Sequence, residues 1–129
     1  VMGEWWTYLI LREHISDHLA RLAAAGWGGD SYAVAYNENT GQTTLVIDWV
    51  WDTPYDSTEF IVPFTKYSDA RFGGSNRTDT NDTQTCWTDG QVSCMFSHDS
   101  RTLWVFAPSM EIVDKVAKSI EGYGVVDKN

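Results

Sequence analysis

Positive charge is scarce in this sequence. Nine Lys and Arg face eighteen Asp and Glu, a formal net charge of −9. No basic cluster occurs, so a phosphate backbone would be repelled and nucleic acid is not an expected partner. Long apolar runs are lacking too. The longest, Trp5 to Leu11, stops far short of the roughly 20 residues that cross a bilayer as a helix, so the chain is not expected to be membrane-spanning. No basic n-region or small-residue cleavage site precedes the first helix pattern, and the chain reads as a mature or excised piece. Gly-x-Gly-x-x-Gly spacing, a P-loop lysine, a nucleophile elbow and a Cys-His pair are all missing, which leaves no catalytic residue and no cofactor to assign.

What is present fits one core. A chain of 129 residues with 43% hydrophobic composition is too short for two ordinary domains, and no linker or repeat interrupts it, so residues 1–129 are read as a single domain. The acids are mostly Asp and Lys is rare, a balance typical of surfaces adapted to high salt.

The two cysteines, Cys86 and Cys94, flank a segment containing Asp89-Gly90. Asp-Gly between strand-forming residues is a hairpin signal, and a tight hairpin brings its flanks into disulfide range. The alternative is two buried thiols on neighbouring strands. A disulfide implies an oxidising compartment. Two Asn-x-Thr triplets, at Asn76 and Asn81, are candidate glycosylation acceptors and point the same way.

Helical spacing of Trp5, Leu9, Leu11, Ile15, Leu19 and Leu22 predicts one helix from Gly3 to Ala25, bent near His14 and stopped by Gly26. Strands are predicted over 31–37 and 43–52, with Leu45, Ile47, Trp49 and Trp51 facing one way. Thr53 as N-cap, Pro54 in the first turn and Asp56 behind them open a second helix, buried through Phe60, Phe64 and Tyr67, kinked at Pro63 and ended by Gly73. Gly74 to Thr85 carries no apolar residue and reads as a loop. Strands follow over 85–88, 91–97 and 101–107. A last helix begins at Pro108-Ser109, with Ile112, Val113, Val116 and Ile120 in one stripe. The order α-β-β-α-β-β-β-α predicts an α+β fold: a mostly antiparallel sheet with the helices on one face.

Between the first helix and the first strand stands Ala23-Ala24-Ala25-Gly26-Trp27-Gly28-Gly29-Asp30-Ser31-Tyr32-Ala33. With Gly3-Glu4, Leu9-Ile10-Leu11, Trp49-Val50-Trp51-Asp52 and Thr58-Glu59-Phe60, this string resembles the C-terminal part of a family of uncharacterised extracytoplasmic proteins of bacteria and archaea. The upstream region of such proteins is similar to a zinc-peptidase scaffold, often degenerate. The resemblance implies a tail domain of a larger exported protein and brings no function with it. Physically, Gly26, Gly28 and Gly29 allow positive φ or close backbone approach, buried Trp27 plugs the gap between helix and sheet, and Asp30 fixes the turn by accepting local N–H groups.

His14 and His18, one helical turn apart, form a candidate metal pair. The string His14-Ile15-Ser16-Asp17-His18 is similar to the inverted zinc-peptidase pattern, with Asp where Glu is required and no third ligand identified. Seven tryptophans serve either as core or as a sugar-stacking platform. The expected function is a non-catalytic structural or interaction domain at the cell surface, engaging a protein partner or itself. The alternatives are a carbohydrate-binding module using exposed Trp and a fragment of a zinc metallopeptidase.

Overall fold

Alternating apolar residues in the middle and end of the chain produce the sheet, and two interrupted helical stretches cover it. The computed structural model describes residues 2–120, 122 and 123. In chain order the elements are α1 (Gly3–Arg12), α2 (Asp17–Ala24), β1 (Trp27–Asn37), β2 (Gln42–Trp51), α3 (Pro54–Ser68), a π-helical turn (Asp69–Gly73), a 3-10 turn (Gly74–Asn76), β3 (Arg77–Asn81), β4 (Gln84–Asp89), β5 (Gln91–His98), β6 (Arg101–Ala107) and α4 (Met110–Ser119). The six strands form one antiparallel sheet in the order β1-β2-β6-β5-β4-β3. The fold is therefore the expected mostly antiparallel α+β arrangement, with one strand more than the sequence reveals.

The sheet buries both faces. On one, Ile47, Trp49, Trp51, Met95 and Trp104 pack under Tyr8, Leu11, Ala20, Ala23, Phe60 and Phe64 from α1, α2 and α3. On the other, Cys94, Leu103, Val105 and Ala107 pack against Val113 and Ala117 of α4. The expectation of helices on one face thus holds for α1 to α3, while α4 covers the reverse side. Central strand β6 is consequently a nearly unbroken buried run, as two-sided burial requires.

The tryptophans belong mainly to this core. Trp49, Trp51, Trp87 and Trp104 are buried, and each indole N–H has its own acceptor: Thr7 Oγ1 at 2.9 Å, Thr102 Oγ1 at 3.0 Å, Asp69 Oδ1 at 2.8 Å and Ser93 Oγ at 2.8 Å, respectively. Burying an indole without a partner for its N–H is costly, so these short polar residues are as much part of the core as the rings.

Several local expectations change. The first helix is two. Backbone N–H groups of Glu13 and His14 close α1, and Ser16 starts α2 by accepting from Leu19 N–H. The buried residues are Thr7, Tyr8 and Leu11, then Ala20, Ala23 and Ala24, whereas Trp5 and Leu22 of the predicted stripe are exposed. The second predicted helix does open on Thr53 and Pro54, with Thr53 Oγ1 accepting from Asp56 N–H at 3.1 Å. It runs through Pro63, and after Ser68 it widens into the π-helical turn, which ends at Gly73 with φ +94°.

The predicted loop from Gly74 to Thr85 contains a strand. Arg77–Asn81 pairs with β4 and is exposed along its whole length. An edge strand with neither face covered needs no apolar residue, so period-2 patterning has nothing to display. Cys86 and Cys94 lie directly opposite each other in the β4–β5 register and are bonded, across a turn where Gly90 has φ +76°.

Candidate functional site

The Gly26–Asp30 string is a structural joint. β1 already begins at Trp27, with a bulge between Trp27 and Gly29, and none of Gly26, Gly28 or Gly29 has positive φ. Two of them serve close approach. A Cβ on Gly26 would sit 2.3 Å from Asp56, and one on Gly28 would sit 3.1 Å from the Val50 carbonyl oxygen; Gly29 has open space. Trp27 is half-buried, not fully buried as expected.

Asp30 does not fix a local turn. Its carboxylate accepts the N–H groups of Met2 at 2.6 Å and Gly3 at 2.7 Å, and the Trp27 indole N–H at 2.9 Å. It therefore caps α1 from the neighbouring strand. Burial pushes this carboxyl up, but the bonds from Gly3, Met2 and Trp27 outweigh it and hold Asp30 below the usual carboxylate range. Because α1 is pinned at this end, its far face is held over the sheet at a fixed distance.

That distance leaves a groove. It is lined by Trp6, Leu9 and Ile10 of α1 and Met2 just before that helix, by Leu45, Ile47 and Trp104 of the sheet, and by Glu13, Tyr67 and Arg71. The cavity is about 540 Å³ and largely apolar. The π-helical turn supplies a cation to it, Arg71. Arg71 lies over the rings of Phe72 (4.9 Å), Phe106 (5.2 Å) and Trp104 (5.9 Å), and donates to Tyr67 Oη at 2.7 Å. Burial raises the Tyr67 phenol above its ordinary range, with Arg71 opposing. The Tyr67 hydroxyl thus stays protonated beside an apolar cleft. Beyond Leu45 and Ile47 the same face continues onto β1, where register places Tyr32 beside Ile47 and Val34 beside Leu45. Nothing in the described residues covers them: Tyr32, Val34 and Tyr36 are 51%, 61% and 64% exposed.

The other candidates fall elsewhere. His14 follows the end of α1, edge-on to Tyr67 at 5.4 Å, whereas His18 lies within α2, so the two do not share one helical turn. Asp17 between them is engaged by Tyr8 Oη and by Arg21 Nε at 2.9 Å. The hydrogen bond from Tyr8, then that from Arg21, lowers its carboxyl pKa. Among the described residues no group of three or more His, Cys, Asp and Glu is placed to hold a metal ion. Trp49 and Trp51 do share a face, but inside the core. The exposed pair, Trp5 and Trp6, are adjacent on a helix, so their side chains diverge by about 100° and cannot form one flat platform. Asn81 is exposed at the end of β3, where its amide oxygen accepts from Thr83 N–H and Oγ1, whereas half-buried Asn76 donates its amide N–H to the Phe72 carbonyl at 2.7 Å. The groove carries no sequence motif: Trp6 and Ile10 are apolar positions of α1 like any others, and Arg71 belongs to the π-helical turn, which leaves no periodic signal.

Fold and surface together define a small disulfide-bonded α+β domain with an open apolar groove and an uncovered sheet edge. Residues 1–117 match a family described as a domain of unknown function, DUF8575, and the chain belongs to that family. No curated protein and no solved structure matches it.

Proposed function

We propose that this is a non-catalytic interaction domain on the outside of the cell, and that its groove between α1 and the sheet receives an apolar side chain or segment of a protein partner. The observation that carries this reading is the cleft itself: about 540 Å³, lined by Met2, Trp6, Leu9 and Ile10 and continuous with exposed Tyr32 and Val34. Exposed contiguous apolar surface costs solubility and is typically retained where something docks. Aromatic and Arg side chains, here Trp6, Trp104, Tyr67 and Arg71, are the residue types that anchor interfaces. The Cys86–Cys94 bond supports an oxidising, extracellular setting. Exposed Asn81 is the better placed of the two glycan acceptors, on the edge farthest from the groove in strand order.

The test is a photo-crosslinking phenylalanine analogue placed at Trp6 in the source cells. A discrete adduct from Trp6, absent when the analogue replaces exposed Tyr55 on α3, is the expected result. Equal labelling from both positions, or none from Trp6 in intact cells, would overturn the reading.

A further inference from the structure

The two edges of the sheet are built differently. β3 at one end is five residues long, Arg77-Thr78-Asp79-Thr80-Asn81, with charges at Arg77 and Asp79 and a register break between Asp79 and Asn81. Short length, charge and irregularity are the usual devices that stop an edge from pairing with another chain. β1 at the other end is eleven residues long. Its bulge is confined to Trp27–Gly29, and from Ser31 to Asn37 it is regular, uncharged and free of proline. All seven residues are exposed. An open edge of this kind presents a row of backbone N–H and C=O groups to solvent.

The sequence of that edge is a palindrome. Tyr32-Ala33-Val34-Ala35-Tyr36 reads identically in both directions about Val34. A two-fold interface brings one patch against itself, so residue i meets j and j meets i. In an antiparallel pair of β1 strands centred on Val34, Val34 faces its own copy, each Tyr32 faces a Tyr36, and each Ala33 faces an Ala35. Directly opposed side chains point to the same side of a sheet. The tyrosines and valines would therefore form one row on the groove face, and the alanines would leave the reverse face free of steric conflict.

We infer that this chain pairs with a second copy of itself through β1, joining two six-stranded sheets into one continuous antiparallel sheet with a two-fold axis at Val34. The inference rests on the reading of the domain as an interaction module and names one partner for it. Both grooves then open on the same side, separated by the Tyr32–Tyr36 row. Each copy carries a net charge of −9, so association should strengthen as salt shortens the screening length to about 3 Å near 1 M.

The experiment is light-scattering mass across protein concentration at low and at molar salt. The native chain should move from 14.6 kDa toward twice that mass, at lower concentration in high salt. Val34→Lys places two like charges at the axis and should raise the dissociation constant about tenfold or more. The double variant Tyr32→Glu/Tyr36→Lys sets opposite charges face to face across the axis and should still dimerise, whereas Tyr32→Lys/Tyr36→Lys should not. These positions are more than half exposed, and thermal melting checks that each variant folds. Should a variant not fold, Val34→Cys provides the second readout: air oxidation should link the copies through that position, since the described chain has no free cysteine to compete. A native chain that stays at 14.6 kDa up to millimolar concentration in molar salt would overturn the inference. So would a dimer indifferent to every β1 variant. Neither outcome touches the Trp6 crosslink, which tests the groove alone.

Discussion

Asp30→Ala should loosen the whole groove wall, because one carboxylate holds the start of α1. The substitution removes acceptors from Met2 N–H, Gly3 N–H and the Trp27 indole. Loss of a helix cap typically costs about 1 kcal/mol, up to about 2. Loss of an anion at a helix N-terminus costs about 0.3–1 kcal/mol, and the indole bond to a charged acceptor about 1.5–3 kcal/mol, less here because the site is half open to water. Together the expected destabilisation is about 2–4 kcal/mol, read by urea unfolding followed through Trp fluorescence. pH provides the control. The folded-state pKa of Asp30 is depressed, so its contribution is present above the unfolded value of about 3.9 and disappears as pH falls through the lower folded value. Asp30→Asn should therefore be less stable than the native protein at neutral pH, with the difference shrinking below about pH 4. An Asp30→Ala protein within about 0.5 kcal/mol of native at pH 7, with an unchanged acid limb, would refute the assignment of Asp30 as the cap of α1.

Thr102→Val keeps shape but leaves the buried Trp51 indole N–H without its acceptor, and should cost about 1–3 kcal/mol by the same denaturation assay. Ser68→Ala should be neutral or stabilising by up to about 1 kcal/mol, because its buried hydroxyl has no hydrogen-bond partner among the described residues; a loss above 1 kcal/mol would show that a partner exists. Protein isolated without reductant should weigh two hydrogens less than the reduced chain, since Cys86 and Cys94 are bonded. Replacing both by Ala should lower stability by about 2–3 kcal/mol, the chain-entropy value for a short loop, measured as a shift in urea midpoint.

What could be read in the sequence was whatever leaves a period or a turn. Leu45 to Trp51 alternates because one face of β2 is deeply buried and the other only partly, and Asp89-Gly90 and Thr53-Pro54 are local chemistry that tertiary contacts do not override. The break between α1 and α2 hid behind apolar residues that continue in helical register through Ile15, although Ser16 ahead of Asp17 is a start signal. The glycines after Ala25 leave positive φ and close approach equally open in the sequence, because a glycine chosen for close approach to Asp56 or Val50 looks the same as one chosen for positive φ. The side on which α4 lies depends on how the chain crosses the sheet end, which no single stripe of residues encodes. The groove is a surface left uncovered, and an uncovered apolar position has the same letter as a buried one.

The sheet acts as a bulkhead. Since Val113 of α4 with Leu103 and Val105 lie on one side, and Trp49, Phe60 and Phe64 on the other, changes on opposite sides are insulated by a layer of backbone. Truncations made one on each side should sum in their effects, whereas pairs on the same side should not. Under the proposed function, such a wall would let the groove side change its contacts while the α4 side, with its bonded cysteine pair, keeps the scaffold in register. The two sides are then separated by a single thickness of β-structure.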